Sequence, residues 1–182
     1  MRALGFAAFA CALLAGAAEA EVTAGAPDHL AVKETAHIAA APDKVYAALI
    51  HPGRWWNSVH SFSGDAANMS LDARAGGCWC EKLPHGGSAE HLRVVLAVPE
   101  KTLRLRGALG PFQGMASDGV MTVTLAPKDG GTDLTLTYDL FGSIDGGFAN
   151  MAPVVDGNLG EQVVRLKRFV ETGMPDDGLK TK

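Results

Sequence analysis

The chain has 182 residues, of which 20% are charged, and its formal net charge at pH 7 is −4. This length suits a single domain with one hydrophobic core. The small negative charge and the lack of a basic cluster argue against nucleic acid as a partner. Beyond the N-terminal segment no apolar run is long enough to span a bilayer, so we expect no stable membrane insertion of the mature protein.

The first twenty residues have the layout of a secretory signal peptide. Arg2 supplies an early positive charge, an alanine-rich apolar run follows, and Ala18-Glu19-Ala20 forms an A-x-A cleavage site. We therefore predict removal of residues 1–20 and a periplasmic or secreted location. The remaining chain divides into a flexible lead-in at 21–28, a domain at 29–173 and a loose C-terminal tail at 174–182.

The predicted elements of the domain begin with an alternating strand over residues 29–40. A short helix starts near Pro42 and stops at His51-Pro52-Gly53, and the following segment RWWNSVHSF indicates a second short helix or a compact loop. About six short runs of strand-forming residues, separated by turn signals, occupy residues 66–141. Their apolar and polar residues alternate, which predicts an antiparallel meander with one buried and one solvated face.

Residues 151–173 carry the long helical pattern of the chain. One apolar stripe runs along it, formed by Val155, Leu159, Val163, Leu166 and Val170. Gly173 and Pro175 end the helix. The order of elements predicts an α+β domain in which a curved antiparallel sheet wraps around the long C-terminal helix, with two short helices after the first strand. Such a sheet leaves a hollow in which a ligand can lodge.

Three stretches carry a resemblance to a known family: APDKVYAALIHPGRWW after the first strand, AGGCWCEKL in the middle and GEQVVRLKRFVE near the end. With the order of elements, they resemble the SRPBCC superfamily of START-like, helix-grip domains. Within it, the chain is most similar to the group of polyketide cyclases/dehydrases and heat-shock-ATPase-activator homologues. The resemblance covers roughly residues 30–172.

This resemblance implies a helix-grip fold with a deep, mostly apolar cavity that binds lipids, sterols, polyketides or aromatic compounds. Some members catalyse cyclisation, dehydration or hydrolysis there, and many only bind. It supplies no universal catalytic residue. The signal peptide departs from the cytosolic majority of the family and argues against a chaperone-cofactor role.

The stretch GGCWCEK at 76–82 indicates a strand whose side chains alternate between two faces. Lys82 should face water together with Cys78 and Cys80, so Trp79 and Glu81 should point inward. A glutamate beside a tryptophan in an apolar cavity would have a raised pKa, and Glu81 is therefore a candidate acid/base or polar anchor. The alternative is a solvated Glu81 at the cavity mouth.

The cysteines suggest a second, minor kind of site. A hairpin that pairs Glu81 with Glu90 would place Cys80 across from His91. Soft ligands would then gather on one hairpin as a metal or redox site, namely Cys78, Cys80, His85 and His91. The alternative is two small, half-buried strand residues. A disulfide between them is not expected, because residues two apart on one strand face hold their Cβ atoms beyond the ~3.8 Å that a disulfide needs.

Several other side chains are candidates for the cavity. At most one of Trp55 and Trp56 should touch a ligand while the other packs. A glycine-rich loop at 107–115 either carries Phe112 and Met115 over the opening or is an ordinary loop with a buried anchor. Tyr138 lies on the inward row of its strand, where it either offers its hydroxyl to a ligand or is a core tyrosine bonded to a nearby polar group. His60 could act as a base at the mouth, although a lone histidine is more often a surface residue.

Three functions follow from these residues. The first is binding of a small apolar or aromatic molecule, with Glu81 as its polar anchor and no cofactor. The second is a cofactor-free lyase, cyclase or dehydratase in which Glu81 moves a proton and His60 or Tyr138 assists. The third is the metal or redox site on the cysteine hairpin. The sequence does not specify an oligomeric state.

Overall fold

The structure is a computed structural model, which describes residues 19–176. Most of the predicted signal peptide, at 1–18, and the end of the predicted tail, at 177–182, lie outside the described residues. The α-helices are α1, Pro42–Leu49, and α2, Ala152–Thr172. The strands are β1 Glu19–Gly25, β2 His29–Ile38, β3 Met69–Leu71, β4 Cys78–Lys82, β5 Ser88–Val98, β6 Thr102–Arg106, β7 Ala116–Lys128 and β8 Gly131–Ser143.

The eight strands form one antiparallel sheet in the order β1-β2-β8-β7-β6-β5-β4-β3. The sheet is curved, and the long helix α2 lies against β1 and β2. The predicted α+β helix-grip architecture is therefore confirmed. In the part of the chain that the structure describes, no helix is long and apolar enough to cross a membrane.

The core follows from the alternation seen in the sequence. Leu103 and Leu105 are buried while their neighbours Arg104 and Arg106 are exposed. Helix α2 turns its predicted stripe toward the sheet, since Val155, Leu159, Val163 and Leu166 are buried. The helix ends at Gly173, whose positive φ of 82° lets its N–H donate to the Phe169 carbonyl oxygen at 2.9 Å.

One segment differs from the sequence-based expectation, and another takes one of the two forms expected for it. The expected lead-in at 21–28 is largely strand, because β1 pairs with β2 and so satisfies the backbone groups that β2 would otherwise leave open at the sheet edge. Between α1 and β3 the chain forms a compact loop with three short 3₁₀ helices, Pro52–Arg54, Ser58–His60 and Ala66–Asn68. The segment RWWNSVHSF therefore takes the compact-loop form, one of the two expected for it, and contains short 3₁₀ helices.

The cysteine hairpin contains a β-bulge that the sequence-based register lacked. Trp79 pairs with Leu92, but the next residue, Cys80, pairs with Glu90, so His91 is an extra residue in β5. The predicted Cys80–His91 pairing is therefore wrong. His91 turns inward with Leu92, and both are buried.

The expectation that Cys78 and Cys80 stay unbonded is also wrong, because the structure joins them in a disulfide. Opposite the bulge their Cα atoms are 5.3 Å apart. A regular strand separates such residues by about 6.6 Å, whereas most disulfides have Cα separations near 5.5–6 Å. The local distortion thus brings the two sulfur atoms together.

The disulfide gives a first testable prediction. The chain without residues 1–20 should have no free thiol and a mass about 2 Da below the reduced form, because closing the bond removes two hydrogens. Non-reducing mass spectrometry with and without alkylation measures both quantities. Because the bond closes a very short loop, reduction should lower the free energy of unfolding by no more than about 2 kcal/mol. Uptake of two alkyl groups without prior reduction would contradict the bond.

Candidate functional site

The main cavity of about 270 Å³ lies between α2, the loop after α1 and the sheet. Helix α2 and the residue before it contribute one wall, formed by Met151, Val154, Val155, Asn158, Leu159 and Gln162. The loop after α1 contributes a second wall, formed by Trp56, Val59, His60, Ser61 and Phe62. The remaining lining comes from the sheet and from the loop between β6 and β7, through His91, Tyr138, Leu109, Gly110, Pro111 and Phe112.

The loop wall is fixed to α2 by hydrogen bonds with three side chains of the helix. The Asn57 backbone N–H donates to Gln162 Oε1 at 2.8 Å, and Gln162 is 2% exposed. The Asn57 side-chain amide donates to Glu161 Oε1, and Arg165 donates to the Trp55 carbonyl oxygen at 2.9 Å. A loop without regular secondary structure thereby keeps a defined position against the helix.

The same loop is fixed to the sheet by Glu81. The Phe62 and Ser63 backbone N–H groups donate to the two carboxylate oxygens of Glu81, whose side chain is fully buried. Glu81 Oε2 also lies 2.8 Å from His91 Nε2, and the Phe62 ring stacks on the imidazole at a centroid distance of 5.5 Å. Glu81 therefore lies one layer behind the cavity surface, while His91 lines the cavity.

This arrangement corrects the predicted pKa of Glu81. Burial alone would raise the pKa, but hydrogen bonds from Ser63, Phe62 and His91 outweigh burial and hold the pKa of Glu81 below its ordinary value. The carboxylate is thus stabilised in its charged form, which suits a group that orients His91 and the loop better than a group that carries a proton.

The three tryptophans form one cluster at the inner end of the cavity. The Trp56 and Trp79 rings meet edge to face with centroids 4.9 Å apart, and Trp55 lies 5.7 Å from Trp56. Of the three, Trp56 lines the main cavity, and all three border a smaller void of about 20 Å³ deeper in the core. As predicted from the alternation of β4, Trp79 and Glu81 point inward and Lys82 is exposed.

Of the residues predicted in the β6–β7 loop and in β8, one lines the cavity from the loop and another holds that loop in place. Phe112 is buried and lines the cavity, whereas Met115 is 43% exposed and does not line it. The Tyr138 hydroxyl accepts the Leu109 N–H at 2.9 Å and donates to the Gly107 carbonyl oxygen at 3.0 Å. Burial raises the pKa of Tyr138. Its hydroxyl therefore fixes the loop that carries Phe112.

The predicted histidine and metal candidates do not come together. His60 lies in the loop wall with Nε2 3.3 Å from Glu161 Oε2. His85 is exposed in the β4–β5 turn, and His91 faces away from the cysteines. Among the described residues, the donor atoms that approach one another belong instead to Cys78, Cys80 and Glu90, and the first two are joined in the disulfide. A free thiolate pair is therefore not present to bind a metal.

The sequence-based set of ligand-binding residues lacked most of the cavity lining, including the polar residues Gln162 and Asn158, and it placed His91 only among the metal candidates. Gln162 had a visible signal, because it lies three residues after Leu159 and four before Leu166, inside the apolar stripe. A polar residue at such a position calls for a buried partner. His91 had no such signal, because only the bulge turns it inward.

The carboxylate of Glu81 gives a second prediction. In a Glu81→Gln variant the new amide would direct a donor at a backbone N–H, so we expect a loss of about 2–3 kcal/mol in the free energy of unfolding at pH 7. The pKa of Glu81 is lower in the folded protein than in the unfolded chain, where it is 4.5. The stability that the Glu81 carboxylate contributes is therefore fully present above pH 4.5 and is lost as the pH falls through the folded pKa.

Urea denaturation between pH 3 and pH 7 measures both effects. The exposed Glu90, on the same hairpin, provides the matched control Glu90→Gln. Equal stability of the two variants across that pH range would contradict the role assigned to Glu81.

Comparisons with known proteins agree with this fold. A family model for polyketide cyclase/dehydrase and lipid transport matches residues 29–171. No curated protein sequence matches the chain. An uncharacterised protein from Rhizobium leguminosarum superposes with a TM-score of 0.56 at 23% identity, over 85% of this chain and 98% of that one.

Two further solved structures are similar. CalU16 from Micromonospora echinospora has a TM-score of 0.56 at 17% identity, over 90% of this chain and 88% of its own. The Aha1 dimer from Colwellia psychrerythraea has a TM-score of 0.56 at 17% identity, over 79% of this chain and 97% of its own. At these identities the structures show the fold alone. Since the family match spans nearly the whole domain, the chain belongs to the polyketide cyclase/dehydrase and lipid transport family within the SRPBCC superfamily.

Proposed function

We propose that this protein is exported and holds a small apolar or aromatic molecule in the main cavity. The observation that carries the proposal is the cavity of about 270 Å³ with predominantly apolar and aromatic walls. An apolar cavity of about 150 Å³ already accepts benzene, so this volume suits a larger body such as a fused bicyclic ring.

The polar groups of the lining are few and are placed apart. His91 lies on the sheet side and Asn158 on the helix side, so a ligand between them can form a hydrogen bond at either edge. Apolar walls with a small number of such groups are typical of sites in which burial supplies affinity and polar contacts fix orientation. The anchor in this proposal is therefore His91, held by Glu81.

The rim of the cavity offers a route of entry. Val59, Phe62 and Val154 line the cavity and are 77%, 50% and 52% exposed. They place an apolar opening between the loop wall and the start of α2. A hydrophobic molecule that reaches this rim replaces water on both surfaces as it enters.

Binding is tested with N-phenyl-1-naphthylamine, a neutral aromatic dye that fluoresces in apolar surroundings. We expect saturable binding to the chain that begins at Glu21, and at least a tenfold weaker affinity in Val155→Trp, because the larger ring fills space between α2 and the sheet. Val155 is 7% exposed, whereas Val164 on the same helix is 48% exposed, so Val164→Trp is the matched control. Equal dye affinity of the two variants would contradict the cavity as the binding site.

Export is tested separately by the mass of the protein recovered from the periplasm of cells that express the full sequence. A chain that begins at Glu21 supports the proposal, and retention of the uncleaved chain in the cytoplasm contradicts it. Solvent extraction of the periplasmic protein then identifies any molecule that it carries.

The His91–Glu81 pair favours a second function, acid–base catalysis on the bound molecule. A buried carboxylate 2.8 Å from His91 Nε2 fixes the imidazole at the cavity wall, where it can exchange a proton with a ligand. With the bicyclic ketone 2-tetralone in D₂O, we expect deuterium exchange next to the carbonyl above the buffer rate. The enhancement should vanish in His91→Gln while dye binding remains. Exchange at the buffer rate in the unmodified protein would contradict catalysis and leave binding intact.

A further inference from the structure

A second polar site lies away from the cavity, where β1, β2 and α2 meet. Glu34 occupies an inward position of β2, between Val32 and Ala36, and is 1% exposed. Its Oε1 atom and the Oδ1 atom of Asp156 on α2 are buried, and neither has a hydrogen-bond partner among the described residues. An unpartnered buried carboxylate is costly, so this pair calls for a positive group or for protons.

Gly160 makes room for the Glu34 carboxylate. A Cβ atom at residue 160 would lie 3.1 Å from Glu34 Oε2 and 3.7 Å from Ala20 Cβ. The Glu34 carboxylate and the Ala20 side chain therefore both lie next to Gly160 on the surface of α2. In the sheet register Ala20 is the direct partner of Glu34.

In the described part of the chain, the lysines of β2 and α2 have other partners or positions. On β2, Lys33 alternates to the opposite face, where it lies with Glu19 and Glu21 of β1. On α2, Lys167 is occupied by the His37 carbonyl oxygen and by Glu171. Burial and the neighbouring Asp156 raise the pKa of Glu34 to about 8.

The predicted cleavage falls at this point of β1. Cutting after Ala20 removes the residue that covers Glu34 and creates an α-ammonium group on Glu21, the next residue along the strand. We propose that this new N-terminus turns inward and forms a buried ion pair with Glu34 and Asp156, so that processing of the chain completes the site. The inference rests on the cleavage that is part of the proposed function.

The pairing has definite electrostatic consequences. An α-amino group ordinarily titrates near ~7.7–8.0, and two adjacent carboxylates favour its charged form. In a chain that retains Ala20, the raised folded pKa of Glu34 makes stability fall as the pH rises from the unfolded value of 4.5 through about 8. In the processed chain the α-ammonium group takes the place of the proton on Glu34. This loss of stability should therefore be absent at pH 7.

The test compares two chains made with a tag protease that leaves no extra residue, one beginning at Glu21 and one at Glu19. Each is made with and without Glu34→Gln, and thermal unfolding is followed at pH 7 in EDTA. In the Glu19 chain the variant removes an unpaired carboxyl group, and the midpoint should rise by about 3–6 °C. In the Glu21 chain the same variant breaks the ion pair, and the midpoint should fall by a similar amount. Asp156→Asn should repeat both signs.

An opposite sign in the two chains supports the proposal. A rise in both chains would overturn it, because the site would then be neutralised by protons whatever the N-terminus. A fall in both chains that appears only when EDTA is replaced by a divalent cation would also overturn it, in favour of a bound metal. Since the chains are cut outside the cell and no dye is used, neither failed export nor failed dye binding can produce these outcomes.

Discussion

Two buried polar side chains hold the loop that makes the cavity possible. Glu81 accepts the Phe62 and Ser63 backbone N–H groups from the sheet side, and Gln162 accepts the Asn57 N–H from the helix side. A loop without strand or helix partners must satisfy its buried N–H groups in some other way. Because the two acceptors come from opposite layers, the loop spans the gap between them. The space below it remains open as the cavity.

The bulge at His91 has a similar influence on the site. One extra residue in β5 turns His91 toward Glu81 and distorts the facing strand, so that Cys78 and Cys80 approach each other on the other face. The imidazole at the cavity wall and the disulfide at the surface therefore share one cause. The tryptophan between the cysteines packs against Trp56, which joins this hairpin to the loop wall.

The sequence predicts the framework well because the framework depends on periodicity. Alternation in β6 and the apolar stripe of α2 identify the sheet, the helix and their facing surfaces, and the alternation of β4 places Trp79 and Glu81 inside. The bulge could not be predicted, since His91 is polar while Leu92 and Val94 keep the apolar alternation of β5, so the sequence does not show that His91 is buried beside Leu92. The direction of the Glu81 pKa shift depends on His91 and on the Phe62 and Ser63 N–H groups, which lie 19 and 18 residues before Glu81 in the chain. Polar residues at apolar positions, Glu34 and Gln162, mark buried sites but do not name their partners.

Two glycines in α2 affect the local motion of the helix where it borders the cavity and the Glu34 carboxylate. Gly157 and Gly160 lie in the half of the helix that borders both the cavity and the Glu34 carboxylate. A mid-helix glycine lowers helical stability by about 1 kcal/mol relative to alanine. The half of α2 that walls the cavity is thus the half with the weaker intrinsic preference for a helix, and its order depends on what packs against it. Transient fraying there would widen the rim without disturbing the sheet, and a ligand or a paired N-terminus would slow amide exchange in the same turns.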